Sequence, residues 1–157
     1  MEDKYRLIIS KDRKAEYLDQ TKWGNQQSYQ ELLDICMYME YFEVPASYRL
    51  FDEGESNSDF LVLLKGTIEI TKRNSLNQQI LLARFKKGDF FGEMSLFDGM
   101  PRSARATTLT PCGLLALSAT RLEQMERNSS ETAILLLKKL LFGLSQRLRL
   151  TTAKYVE

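Results

Sequence analysis

Phe91-Gly92-Glu93-Met94-Ser95-Leu96-Phe97-Asp98-Gly99-Met100-Pro101-Arg102-Ser103-Ala104 brings a glycine turn, a carboxylate and an arginine into one short stretch of chain. Gly92 lets the backbone approach a ligand closely, and a short helix beginning near Met94 would aim unpaired N–H groups at an anion. Arg102 supplies a planar fork of donors that matches phosphate oxygens, with Ser103 Oγ and the Ala104 N–H as neighbouring donors. Glu93, acceptor-only when ionised, suits a sugar hydroxyl. The residues alone leave a second reading open, in which Glu93 and Arg102 simply pair across a surface turn.

Outward from this stretch, the chain from Tyr41 to Ser118 consists of short runs rich in Val, Ile, Leu, Phe and Thr, punctuated by Pro45, Gly54, Gly66, Gly88, Gly92, Gly99 and Pro111. Strands are expected at 59–65, 67–73, 79–85, 104–110 and 112–118. Gly66 suggests a tight hairpin between the first two, and Asn74 to Asn77 a polar loop. Closely spaced strands framed by helices at both ends predict an α+β fold. Its centre is an antiparallel β-roll, jelly-roll-like, with N-terminal helices, a short helix in the quoted stretch and a long C-terminal helix.

On the N-terminal side, 12–20 reads as a helix with Ala15, Tyr17 and Leu18 partly buried, and Trp23 as an anchor on the core. Ser28 and Glu31 form a capping box for a helix over about 29–39. On the C-terminal side, Ser118 caps a helix to about 126, and Asn128 with Glu131 predicts a capping box for a long helix. Ile134, Leu137, Leu141, Leu144 and Leu148 form a heptad seam, while Leu136, Leu140 and Phe142 widen the apolar arc. One broad stripe packing on the roll, or a second stripe meeting another copy of the chain, would each produce this pattern. Gly143 reads as a point of close approach, a hinge or a tolerated small residue.

With 157 residues, the chain is long enough for one core that buries about two thirds of the unfolded surface. Lys and Arg number 22 against 21 Asp and Glu, so an anionic ligand must be captured locally rather than by a basic surface. The sequence contains no histidine, which weakens zinc, non-haem iron and haem readings and excludes Ser-His-Asp chemistry. Cys36 and Cys112 lack a CxxC neighbour and read as buried packing residues. No leader and no membrane span is expected, which points to the cytoplasm.

Phe91 to Ala104 resembles the phosphate-binding cassette of the cyclic-nucleotide-binding domain family. It is similar to protein kinase A regulatory subunits in having no insertion between Glu93 and Arg102, and to bacterial cAMP receptor proteins in Arg102-Ser103-Ala104. The likeness extends to Phe51-Asp52-Glu53-Gly54, Asp59-Phe60-Leu61-Val62, Gly66-Thr67-Ile68-Glu69-Ile70 and Gly88-Asp89-Phe90. Ser47 departs from the glycine common in the first turn. The resemblance implies that Glu93 binds the ribose hydroxyl and that Arg102 and Ser103 bind the cyclic phosphate. Gly92 and Ala104 would add backbone N–H groups, and Met94 would pack nearby. Arg147-Leu148-Arg149-Leu150-Thr151-Thr152 resembles the segment that reaches the base in bacterial cAMP receptor proteins. Thr151 and Thr152 would then contact adenine, the alternative being ordinary polar residues at a fraying helix end.

These readings divide the chain into an N-terminal helical segment, 1–40, and a cyclic-nucleotide-binding domain, 41–157. The expected function is a sensor for cAMP, or for cGMP or another cyclic nucleotide, that signals by moving its C-terminal helix. No catalytic residues, metal or cofactor are expected. A homodimer through the C-terminal helix and an unidentified effector protein are expected, with no membrane contact. The sequence stops at Glu157 without a recognition helix, and Arg147, Arg149 and Lys154 read as a solvated face, so direct nucleic-acid binding is not expected. Two rivals remain: an enzyme acting on cyclic nucleotides, disfavoured by the missing histidine, and a ligand-free dimerisation module, disfavoured by the intact Glu93 and Arg102.

Overall fold

The computed structural model describes residues 1–156. Nine strands form two antiparallel sheets. The first, in the order β1 (Arg6–Leu7), β2 (Glu40–Val44), β9 (Cys112–Leu117), β4 (Phe60–Lys65), β7 (Phe90–Phe91), faces the second, β3 (Arg49–Phe51), β8 (Arg105–Thr108), β5 (Ile68–Arg73), β6 (Gln79–Phe85). Among the described residues five α-helices, α1 (Lys11–Asp19), α2 (Tyr29–Cys36), α3 (Glu93–Asp98), α4 (Ala119–Asn128) and α5 (Ser130–Lys154), and a 3-10 turn at Asp3–Tyr5 complete the fold. The expected roll with flanking helices, a short internal helix and a long terminal one is present.

β4 and β9 are apolar on both faces because both faces are covered. Leu61, Leu63, Leu114 and Ala116 point into the roll with Phe42, Phe51, Ile68 and Phe91. Phe60, Val62, Leu115 and Leu117 point outward and meet Ala15, Leu18, Trp23, Leu32, Ile35, Leu122, Met125, Leu136 and Leu140 from the helices. A run without alternation is what a strand buried on both sides requires. Trp23 anchors the N-terminal segment as expected, its ring 6.4 Å from Phe60. Cys36 and Cys112 are buried and unpaired, and burial pushes the Cys36 thiol up to about 12.

Of the three helix caps read from neighbouring residues, those at Ser28 and Ser118 are present and the one at Asn128 is not. Ser28 and Glu31 form the reciprocal capping box, and Ser118 Oγ accepts from the Arg121 N–H. α2 stops at Cys36 rather than near Met39, and α1 begins at Lys11 under a Ser10 cap. The Asn128–Glu131 box does not form. Asn128 is the last residue of α4, and Ser129 becomes the N-cap of α5 without a side-chain cap bond. Ser129 Oγ instead pairs with Tyr38 Oη at 2.8 Å, tying the α4–α5 corner to the turn after α2.

The expected hairpin at Gly66 is also absent: β4 and β5 belong to different sheets, and the actual hairpin is β5–β6. Gly66, at φ +94°, carries the chain round a corner where a Cβ would sit 2.5 Å from Pro111 O. Ser47 has φ 58°, which explains why glycine suits this turn; the serine is held by its N–H to Thr108 O at 2.8 Å.

α5 shows both apolar stripes. Ala133, Leu136 and Leu140 are buried against the roll and α2, with Leu135 and Leu144 partly so, whereas Ile134, Leu137, Leu141 and Leu148 are exposed. Gly143 is a point of close approach, since a Cβ there would collide with the Phe90 ring.

Candidate ligand-binding site

α3 opens with Gly92 at φ +81° and closes with Gly99 at φ +67°, so left-handed glycines bound both ends of the six-residue helix. The helix starts at Glu93, one residue before the expected Met94. A side chain at Gly92 would bring Cβ to 2.5 Å from Asp59 O and 2.8 Å from Arg102 Nη1. The glycine is therefore required both by its dihedral and by the arginine packed beneath it.

Arg102 is only 3% exposed. Its Nε donates to Asn57 Oδ1 at 2.7 Å, Nη1 to Gly92 O at 2.9 Å and Nη2 to Asp59 O at 2.7 Å. The guanidinium lies 4.1 Å above the Phe51 ring. Its backbone is held as firmly, the N–H to Glu55 O at 2.7 Å and the carbonyl to the Gly54 N–H at 2.8 Å. Burial lowers its pKa, opposed by the charges of Asp59, Glu55 and Glu93. A guanidinium has five N–H donors, so one on each terminal nitrogen is left for a ligand.

Glu93 is buried as well. Oε1 lies 3.5 Å from Arg147 Nη1, and Oε2 has no hydrogen-bond partner. Burial raises the carboxyl's pKa, opposed by its own backbone N–H, Arg147 and Arg102. The surface-turn pairing of Glu93 with Arg102 is thereby ruled out: both are buried, and no Glu93–Arg102 ion pair forms among the described residues. An acceptor with no donor, beside a guanidinium with two free N–H groups, fits a ligand offering a hydroxyl and an anionic oxygen.

The remaining predicted residues are placed less uniformly. Ala104 is buried, Ser103 exposed and Met94 exposed. The Ser103 carbonyl accepts from Lys72 Nζ, which also pairs with Glu53 Oε1 at 3.1 Å. Thr151 and Thr152 are exposed on the last turns of α5 and donate to Arg147 O and Leu148 O at 2.9 and 2.8 Å.

Asn57 was not singled out by sequence reasoning, and Phe51 and Arg147 entered it only within longer stretches, without the roles seen here. Arg147 is not part of a solvated face: its guanidinium donates to Phe90 O and stacks 4.1 Å from the Phe90 ring. The signal for this contact is the glycine one turn earlier, which brings α5 close enough to Phe90. Asn57 carried no signal in a polar loop.

The family model for the cyclic nucleotide-binding domain matches residues 41–129. The chain belongs to that family. A CRP-like cAMP-activated global transcriptional regulator of Mycobacterium tuberculosis is 29% identical over 117 residues, 74% of this chain and 50% of the relative. The chain thus spans about half the length of the curated relatives it matches. The crystal structure of a cyclic nucleotide-binding domain from Methylobacillus flagellatus superposes with a TM-score of 0.80 at 28% identity, covering 92% of this chain and 81% of that one. The regulatory domain of Toxoplasma gondii PKA, in co-crystal with cAMP, shares the fold at a TM-score of 0.66 and 19% identity, over 83% of this chain and 49% of that one. The family comprises ligand-binding regulatory domains. Among the described residues no cluster of metal-ligating side chains occurs, and no helix is long and apolar enough to cross a membrane.

Proposed function

We propose that this protein is a cAMP receptor whose ligand bridges Arg102 and Glu93. The observation that carries the reading is the buried, partnerless Glu93 Oε2 next to an arginine with two uncommitted N–H groups. The cyclic phosphate meets Arg102 and Ser103, with the backbone N–H groups of Gly92 and Ala104. The ribose hydroxyl donates to Glu93, and Met94 packs at the rim. Thr151 and Thr152 read the base. Because each hydroxyl already donates to its own helix, it meets a ligand as an acceptor, which at the 6-position suits the amino group of adenine better than the carbonyl of guanine.

The signal is a shift of α5. Arg147 holds the helix against Glu93 Oε1 and Phe90, so a ligand hydroxyl donating to Glu93 Oε2 acts on the same carboxylate and weakens its pull on Arg147. In this reading residues 1–40 are a helical segment attached to a binding domain of 41–157. The exposed stripe of Ile134, Leu137, Leu141 and Leu148 pairs two copies into a homodimer, as its heptad spacing suits. The receptor works in the cytoplasm on an effector protein or a further domain, without catalysis and without touching nucleic acid or membrane itself.

Calorimetric titration with cAMP, cGMP and a cyclic dinucleotide tests the reading. Saturable binding with cAMP tightest supports it, and no binding of any of the three overturns it. Incubation with cAMP and Mg²⁺ or Mn²⁺ must release no AMP.

A further inference from the structure

A cleft of about 640 Å³ lies between the 21–27 turn, the Gly88–Phe90 loop and one face of α5. None of Gly92, Glu93, Met94, Arg102, Ser103, Ala104, Thr151 or Thr152 lines it. Its volume is that of a small-molecule site, within the roughly 300–1,000 Å³ usual for ligand clefts. Trp23, Phe90, Phe142 and Leu150 supply apolar walls. Lys22, Lys138, Lys139 and Arg147 supply four cations, against the single carboxylate of Asp89.

The cations are unevenly committed. Lys22 is paired with Asp89 at 2.8 Å, and Arg147 faces Glu93. Lys138 and Lys139 form no ion pair among the described residues. Lys139 Nζ sits 4.6 Å over the Trp23 ring and, with the Gln27 amide turned so that its nitrogen donates to Glu31, reaches the Gln27 oxygen at 3.2 Å, which leaves N–H groups to spare. Burial lowers its pKa, with only the charge of Glu31 opposing. Trp23 is 7% exposed, and its indole N–H is buried without an acceptor. The unsatisfied groups at this cleft are thus donors and cations, beside aromatic rings. What complements them is an acceptor-rich anion carrying a flat apolar part.

We propose that this cleft is a second binding site, separate from the cassette, for a small aromatic phosphate or a comparable aromatic organic anion. The anionic end lies between Lys138 and Lys139, and the ring rests on the Trp23–Phe142 side. The site stands on its own residues and does not depend on what the cassette binds. It does touch the cassette at one point: Arg147 lines the cleft and its guanidinium also meets Glu93, so an anion here draws on the same arginine.

Trp23 is the chain's one tryptophan, so its emission reports on the cleft directly. The intact chain is titrated with phenyl phosphate, with benzyl alcohol as the neutral probe and inorganic phosphate as the charge-only probe. Expected is a saturable change in Trp23 emission with phenyl phosphate and weaker responses to both controls. Lys138→Glu, an exposed position, should weaken phenyl phosphate about tenfold, the scale of one charge-assisted contact, while Lys138→Arg keeps affinity and both variants melt like the parent. An unsaturable response, benzyl alcohol binding as tightly as phenyl phosphate, or an unchanged constant in Lys138→Glu overturns the proposal. The last result would place the anion elsewhere, including at the cassette, whose own reading is decided by the cAMP titration.

Discussion

Replacing Arg102 by alanine should cost folding stability before any ligand is added. Three hydrogen bonds from a charged donor, to Asn57, Gly92 and Asp59, are lost together with the Phe51 stack. At roughly 1.5–3 kcal/mol each the bonds alone would sum to about 4.5–9 kcal/mol. Removing a buried guanidinium also returns its desolvation cost of several kcal/mol, so the net loss should be about 2–4 kcal/mol. That is a large share of the roughly 5–15 kcal/mol that a domain has. Affinity for cAMP should fall by a further ~2–5 kcal/mol as the phosphate loses its fork. Arg102→Lys should recover part of the affinity but little of the stability, because one ammonium cannot reach three acceptors set around a planar group. Urea unfolding without ligand reads the first effect, and calorimetry at temperatures where the variant is folded reads the second. A ligand-free midpoint equal to wild type would refute the role of Arg102 in holding the Asn57–Asp59 loop to α3. Wild-type affinity in the folded variant would refute the phosphate assignment.

Glu93→Gln should weaken cAMP more than 2′-deoxy-cAMP in calorimetry, and equal losses would reject the ribose contact. The same variant should be more thermostable than wild type at neutral pH. A carboxyl raised by burial contributes stability that is fully present below its ordinary 4.5 and lost as pH rises through its folded value, so the melting curves should converge on acidification. Asp52, held down to about 2 chiefly by the Arg105 guanidinium at 2.8 Å, has the opposite sign. Asp52→Asn should lose about 1 kcal/mol near pH 7, and the deficit should shrink as pH falls through about 2, read by urea unfolding against pH. Thr151→Ala combined with Thr152→Ala should reduce the preference for cAMP over cGMP by ~1–2 kcal/mol and alter any ligand-linked self-association in sedimentation. If both survive unchanged, base selection lies within the roll.

What the sequence determined by itself is what a few neighbouring residues can decide. The Ser28 and Ser118 caps depend on partners three residues away, and the left-handed turns at Gly92 and Gly99 on the absence of a side chain. The cassette from Phe91 to Ala104 is likewise continuous in sequence, so its glycine, acid and arginine could be read together. The tertiary structure decided everything that spans the roll. Gly66 turns a corner instead of a hairpin because β4 and β5 find partners in different sheets. Asn128 is consumed by α4, so the box with Glu131 never forms. Arg102 meets Asp59 across 43 residues, and Arg147 meets Phe90 across 57. Such partners are set by strand register and by how closely Gly143 lets α5 approach the sheet. A spacing rule that looks one or two helical turns along the chain has no access to either.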